Sequence, residues 1–104
     1  MKVYHATANP DEVLRLGFRE TVGTLRSGRQ WAGVWLTDRP LGPGDAAYLH
    51  GATLELEIDE TILQPYEWEE PGKGYRQFLV PVHLANEALA ASRRPPQAPR
   101  DQGG

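Results

Sequence analysis

The sequence predicts an α+β domain whose strands pair mostly antiparallel. Apolar and polar residues alternate with period two in several short runs, most clearly in Thr53-Leu54-Glu55-Leu56-Glu57-Ile58. Turn-forming glycines and prolines separate these runs at close intervals, which suits hairpin connections over long crossovers. One early stretch, residues 9–17, carries helix signals at both ends. At 104 residues the chain can bury one core but not two.

Each element follows from local chemistry. Residues 2–6 form the expected first strand. Asn9-Pro10-Asp11-Glu12 opens a helix, with a capping side chain, proline at the first helical position and acids in the first turn. Val13, Leu14 and Leu16 supply its apolar face, and Gly17 stops it. Residues 18–30 hold two glycines, two threonines and three arginines without clear periodicity, and read as loop with room for one short strand. Gly33-Val34-Trp35-Leu36-Thr37 is β-branched and aromatic, hence a strand, closed by Asp38-Arg39-Pro40. Residues 41–45 form a turn, with Asp45 placed to cap a single helical turn through Tyr48.

The alternating run at 53–58 is a strand with one wet face, and residues 59–63 a helical turn. Tyr66-Glu67-Trp68-Glu69 alternates again. Pro71-Gly72-Lys73-Gly74 turns the chain, and residues 75–80 pair back as a hairpin until Pro81 ends the run. Residues 84–92 form a terminal helix. The domain therefore covers residues 1–92, and residues 93–104, "RRPPQAPRDQGG", form a disordered proline-rich tail without a large apolar side chain.

Composition narrows the chemistry. The absence of cysteine removes disulfides, thiolate nucleophiles and zinc sites of the finger type. No apolar run approaches the roughly 20 residues needed to cross a bilayer, and no leader pattern opens the chain, so a cytoplasmic protein without membrane contact is expected. The formal charge of −3 weighs against a role that depends on gripping phosphates. Arg15, Arg19, Arg26 and Arg29 cluster nonetheless, and read first as a solvated face.

Three histidines, His5, His50 and His83, show no ligand-like spacing, so no metal is expected. No serine sits in a nucleophile-elbow setting, and no glycine-rich loop joins a strand to a helix as a phosphate cradle. His5 on the first strand reads, by itself, as a hydrogen-bonded structural residue. Trp35 points to the opposite face from Val34 and Leu36, either toward a cleft or into a second buried surface. Tyr48 lies in a small-residue stretch, where a flat ring can serve as a lid.

Taken together, three segments resemble the signature regions of the ADP-ribosyltransferase fold, in its His–Tyr–Glu branch of diphtheria-type toxins and poly(ADP-ribose) polymerases. They are Tyr4-His5-Ala6-Thr7, then Gly33-Val34-Trp35-Leu36 with Ala46-Ala47-Tyr48, then Gln77-Phe78-Leu79-Val80. They occur in the family's order and span most of the ordered chain. The resemblance implies a small split antiparallel sheet with one N-terminal helix and NAD held as co-substrate in its cleft. It implies that His5 bonds a ribose hydroxyl, that the Ala6 backbone holds the nicotinamide amide, and that Tyr48 stacks on the ring. Trp35 then stands where the family has its second tyrosine, and Gln77 beside the nicotinamide ribose, in the catalytic pair with His5.

The departures are Trp35 without a phenolic hydroxyl, Ala6 for glycine, and Gln77 for glutamate. Glutamine keeps the shape and the hydrogen bonds but offers no countercharge to a sugar that turns cationic as its glycosidic bond breaks. Glu67, Glu69 and Glu70 are candidates for a substitute carboxylate, or else an acidic solvent face. Arg76 points away from Gln77 and reads as structural or solvated. Three functions stay open. One is toxin-like mono-ADP-ribosyl transfer to a protein or nucleic-acid acceptor, with an antitoxin as possible partner. The others are a degenerate module that binds NAD, ADP-ribose or a partner without turnover, and an RNA 2′-phosphotransferase-like enzyme served by the N-terminal arginines.

Overall fold

The computed structural model describes residues 1–25, 27–42, 52–69, 72 and 74–93. In chain order it contains β1 (Lys2–Thr7), α1 (Pro10–Leu16), β2 (Thr21–Thr24), β3 (Gln30–Thr37), β4 (Ala52–Glu57) and α2 (Glu60–Leu63). A 3-10 turn (Gln64–Tyr66), β5 (Glu67–Trp68), β6 (Gln77–Val80) and α3 (Val82–Arg93) follow. The strands form an antiparallel sheet in the order β4-β1-β3-β6-β5, and β2 pairs with the first half of β3. The architecture is α+β, with three helices against an antiparallel sheet. Among the described residues, no helix is long and apolar enough to cross a membrane.

Alternation along the strands decides which residues enter the core. Val3, Leu56, Val34, Leu36, Phe78 and Val80 come from the sheet and are all buried. Leu63 of α2, with Ala85 and Leu89 of α3, closes over them. Phe78, Leu36, Leu56 and Leu63 are the largest fully buried side chains. Each contributes about 1.5–3 kcal/mol relative to an exposed position.

Several ends differ from the sequence expectation. Asn9 occupies the N-cap position of α1, but its side chain makes no capping bond. Its N–H instead donates to Thr7 Oγ1 at 3.1 Å. Gly17 does stop α1, in the left-handed region at φ 86°, where a Cβ would also stand 2.8 Å from Asn86 Oδ1. The loop that follows is tied to α3 by one side chain: Asn86 Oδ1 accepts from the Phe18 N–H at 2.6 Å, and Asn86 Nδ2 donates to the Phe18 carbonyl at 3.2 Å. That pair fixes Phe18, 6% exposed, at the edge of the core.

The strand expected at 66–69 shrinks to Glu67–Trp68, because Pro65 and Tyr66 are wound into the 3-10 turn. Its partner starts at Gln77, and the backbone N–H of Arg76 goes to the Asp38 side chain and not to a ladder carbonyl. The Arg76 N–H donates to Asp38 Oδ1 at 2.9 Å, and the Asp38 N–H to the Arg76 carbonyl at 3.0 Å. The terminal helix starts two residues before the expected boundary at 84, and reaches Arg93. The helical turn at 45–48, Tyr48 and His50 lie outside the described residues, as do Arg26, Glu70 and tail residues 94–104.

Candidate functional site

The site begins where the sheet comes apart. β1 pairs with β4 along its whole length, yet meets β3 at a single position, Tyr4 opposite Thr37. Beyond that pair the strands diverge, and β3 pairs with β6 through residues 34–37 and with β2 through residues 30–33. Alternation from Val3 aims His5 toward the core side. It reaches the opening because the strands separate there. Its Nδ1 lies 2.9 Å from the Trp35 carbonyl, and its ring stands edge-on to Phe18 with centroids 5.0 Å apart. A side-chain bond thus ties β1 to β3 where the backbone ladder has ended.

This geometry sets the tautomer. A carbonyl oxygen only accepts, so Nδ1 carries the proton and Nε2 keeps a lone pair. Burial pushes the imidazole below its ordinary value of 6.5, with the Trp35 carbonyl opposing part of that shift. The ring is therefore neutral near pH 7, with one acceptor to offer.

Around the opening lies a cavity of about 680 Å³, within the range of small-molecule sites. His5, Ala6, Trp35 and Gln77 all line it. Four of the five positions singled out in the sequence thus come together from three strands; the fifth, Tyr48, lies outside the described residues. Trp35 faces the cavity, half-buried, while its neighbours Val34 and Leu36 are in the core. Gln77 is 8% exposed. No hydrogen bond engages its carboxamide among the described residues, and no buried side-chain nitrogen or oxygen there lacks a partner. Its amide is accordingly open to the cavity.

Thr37, Trp31 and Trp68 are among the lining residues that sequence reasoning missed. Thr37 lies across from Gln77 and donates to the Arg39 carbonyl at 2.7 Å. Trp31 and Trp68 extend Trp35 into a chain of rings, with centroids 5.2 Å and 5.5 Å apart and interplanar angles of 68° and 80°. The signal for Trp31 was its even spacing from Trp35, which puts both on one face of a strand that begins earlier than expected. Trp68 pairs across strands with Gln77.

Of the acidic candidates, Glu67 and Glu69 do not serve the cavity, and Glu70 lies outside the described residues. Glu67 forks with Arg76, accepting at 3.1 Å and 2.9 Å, and the guanidinium lies 5.3 Å over the Phe78 ring. That fork holds the Glu67 carboxyl below the usual range and raises Arg76. Arg76, expected to be structural or solvated, is partly exposed and paired with Glu67. Glu69 is exposed and not part of the lining. No Asp, Glu, Lys or Arg lines the cavity among the described residues. Arg15, Arg19 and Arg29 are exposed, with Arg19 3.4 Å from Glu12. No group of three His, Cys, Asp or Glu stands together as a metal site among the described residues. No protein-family model, curated protein or solved structure matches this chain.

Proposed function

We propose that the protein is an NAD-dependent mono-ADP-ribosyltransferase whose cavity takes the nicotinamide-ribose half of NAD and whose acceptor is a macromolecule. One observation carries this reading: His5, Ala6, Trp35 and Gln77, far apart in sequence, line one cavity at the split between β1 and β3. Each offers what the chemistry requires. Neutral His5 presents Nε2 to a ribose hydroxyl, the indole of Trp35 offers a stacking surface, and the Gln77 carboxamide offers a further bond to the sugar. The reaction breaks the ribose–nicotinamide bond, sends its electron pair to the leaving ring, and joins the ribose carbon to an acceptor that gives up a proton. Holding the sugar and excluding water are tasks for a rigid sheet.

The lining bears on rate as well. Gln77 supplies a dipole where a carboxylate would supply a full charge, and no other described lining residue replaces it. That favours a second reading, in which the same cavity binds NAD or ADP-ribose without turnover. No observation favours RNA 2′-phosphotransfer, since no arginine or lysine is among the described lining residues.

The test is chromatography of NAD incubated with the full chain and a cell lysate. Released nicotinamide and a labelled acceptor support transfer. Calorimetric binding without release, in the native chain and in Gln77→Glu, supports the binding module. Neither binding nor release removes both.

A further inference from the structure

All three tryptophans of the chain stand in the wall of this one cavity. Trp31, Trp35 and Trp68 follow one another edge to face, at 68° and 80°, so the indoles that line the cavity are steeply inclined to one another. A core that needed only apolar bulk would be served by aliphatic side chains and phenylalanine, and this protein's core is built of those, without tryptophan. Steeply inclined indoles around a cavity form instead the arrangement that attracts an organic cation through the negative ring faces. The remaining lining agrees. It holds no Lys or Arg to repel a cation and no Asp or Glu to pair with one, among the described residues. His5 donates Nδ1–H to the Trp35 carbonyl and presents a lone pair, so it adds no positive charge. Among the described residues, attraction for a cation here comes from π-faces and oxygen dipoles.

We propose that Trp31, Trp35 and Trp68 form a cation-selective aromatic cage that distinguishes a positively charged N-substituted pyridinium from the neutral ring of the same shape. The pyridinium identity rests on the reading of the cavity as an NAD site; the preference for charge does not. The cage also gives the leaving ring a reason to depart. Nicotinamide is cationic while attached to ribose and neutral once the bond is broken, so the attraction ends with the reaction.

The direct test uses the full chain and two probes, 1-methylnicotinamide, a cation, and nicotinamide, its neutral counterpart, titrated by ligand-observed NMR. The cation should bind about tenfold more tightly. The protein is then produced with singly and multiply fluorinated tryptophan, which withdraws ring electron density with little change of shape. Because every tryptophan belongs to the cage, the substitution alters no indole elsewhere. Affinity for the cation should fall with each added fluorine while affinity for the neutral ring holds. Equal affinity for the two probes, insensitivity of the cation to fluorination, or no binding of either probe overturns the proposal. A comparison of NAD with NADH separates it from the transferase reading. Cation selectivity in a protein that neither binds nor cleaves NAD leaves the cage standing and the transferase fallen. NAD cleavage with equal affinity for NAD and NADH does the opposite.

Discussion

Replacing Gly23 with alanine puts a methyl group where the structure has an indole. A Cβ built at Gly23 would stand 2.3 Å from Trp31 Cζ2, 2.4 Å from Cε2 and 2.7 Å from Nε1. Ordinary van der Waals contact begins at 3.4 Å, so ring and strand must part by about 1 Å. Trp35 lies 5.2 Å away on β3 and blocks one direction, so Trp31 yields by moving into the cavity beside both. Overpacking of this kind costs about 1–3 kcal/mol. Loss of the Trp31–Trp35 edge contact adds about 0.5–1.5 kcal/mol. β2 is short and mostly exposed, so it yields by shifting off β3, which keeps the total toward the low end of that sum, about 2 kcal/mol. Urea denaturation followed by far-ultraviolet circular dichroism reads the stability, and calorimetry reads NAD affinity, expected to fall about tenfold. In the double variant Gly23→Ala/Trp31→Ala the clash is gone, so the two changes should couple strongly. A Gly23→Ala protein as stable as the native one, with unchanged NAD affinity, would refute both the packing of Trp31 and its part in the site.

Three further outcomes follow from the geometry. Gln77→Glu places a carboxylate in the cavity and, on the proposed transferase reading, should raise nicotinamide release by about 10²–10³-fold, read in single-turnover assays; a rate no faster than native would mean that residue 77 does not face the sugar that reading puts there. Asn86→Ala strips both partners from the Phe18 backbone and should cost about 1–3 kcal/mol in chemical denaturation, an unchanged midpoint showing that the clamp carries no stability. His5 has a folded-state value below 6.5, so the unfolded chain takes up a proton that the folded chain resists. Its contribution is complete above pH 6.5 and is lost as the pH falls from there through the folded value. Melting temperatures compared at about pH 7.5 and about pH 5.5 should drop further in the native protein than in His5→Gln, and parallel slopes would refute the assignment.

The parts of the molecule legible in the sequence are those set by local pattern. Gly17 ends a helix because a left-handed residue is needed there, and Asp59 caps α2 by accepting from Thr61 N–H at 2.8 Å. Val34, Trp35 and Leu36 divide between core and cavity as strand alternation requires. What could not be read depends on contacts between distant segments. Nothing near Asn9 shows that Thr7 would take its N–H, nor does anything near Phe18 show that Asn86 would satisfy its backbone. The position of His5 is the plainest case. Its alternation with Val3 gives the wrong side, and only the divergence of β1 from β3, a property of the whole sheet, delivers it to the cavity. Trp68 escaped notice because its strand is two residues long, and its importance comes from lying across from Gln77.

The most direct measurement is a crystal structure of the protein soaked with NAD. The account predicts the nicotinamide ring among the indoles, with a ribose hydroxyl within hydrogen-bonding distance of His5 Nε2 and the Gln77 carboxamide beside the same sugar. NAD bound elsewhere on the sheet, or a cavity that stays empty of it at saturating concentration, would contradict the account.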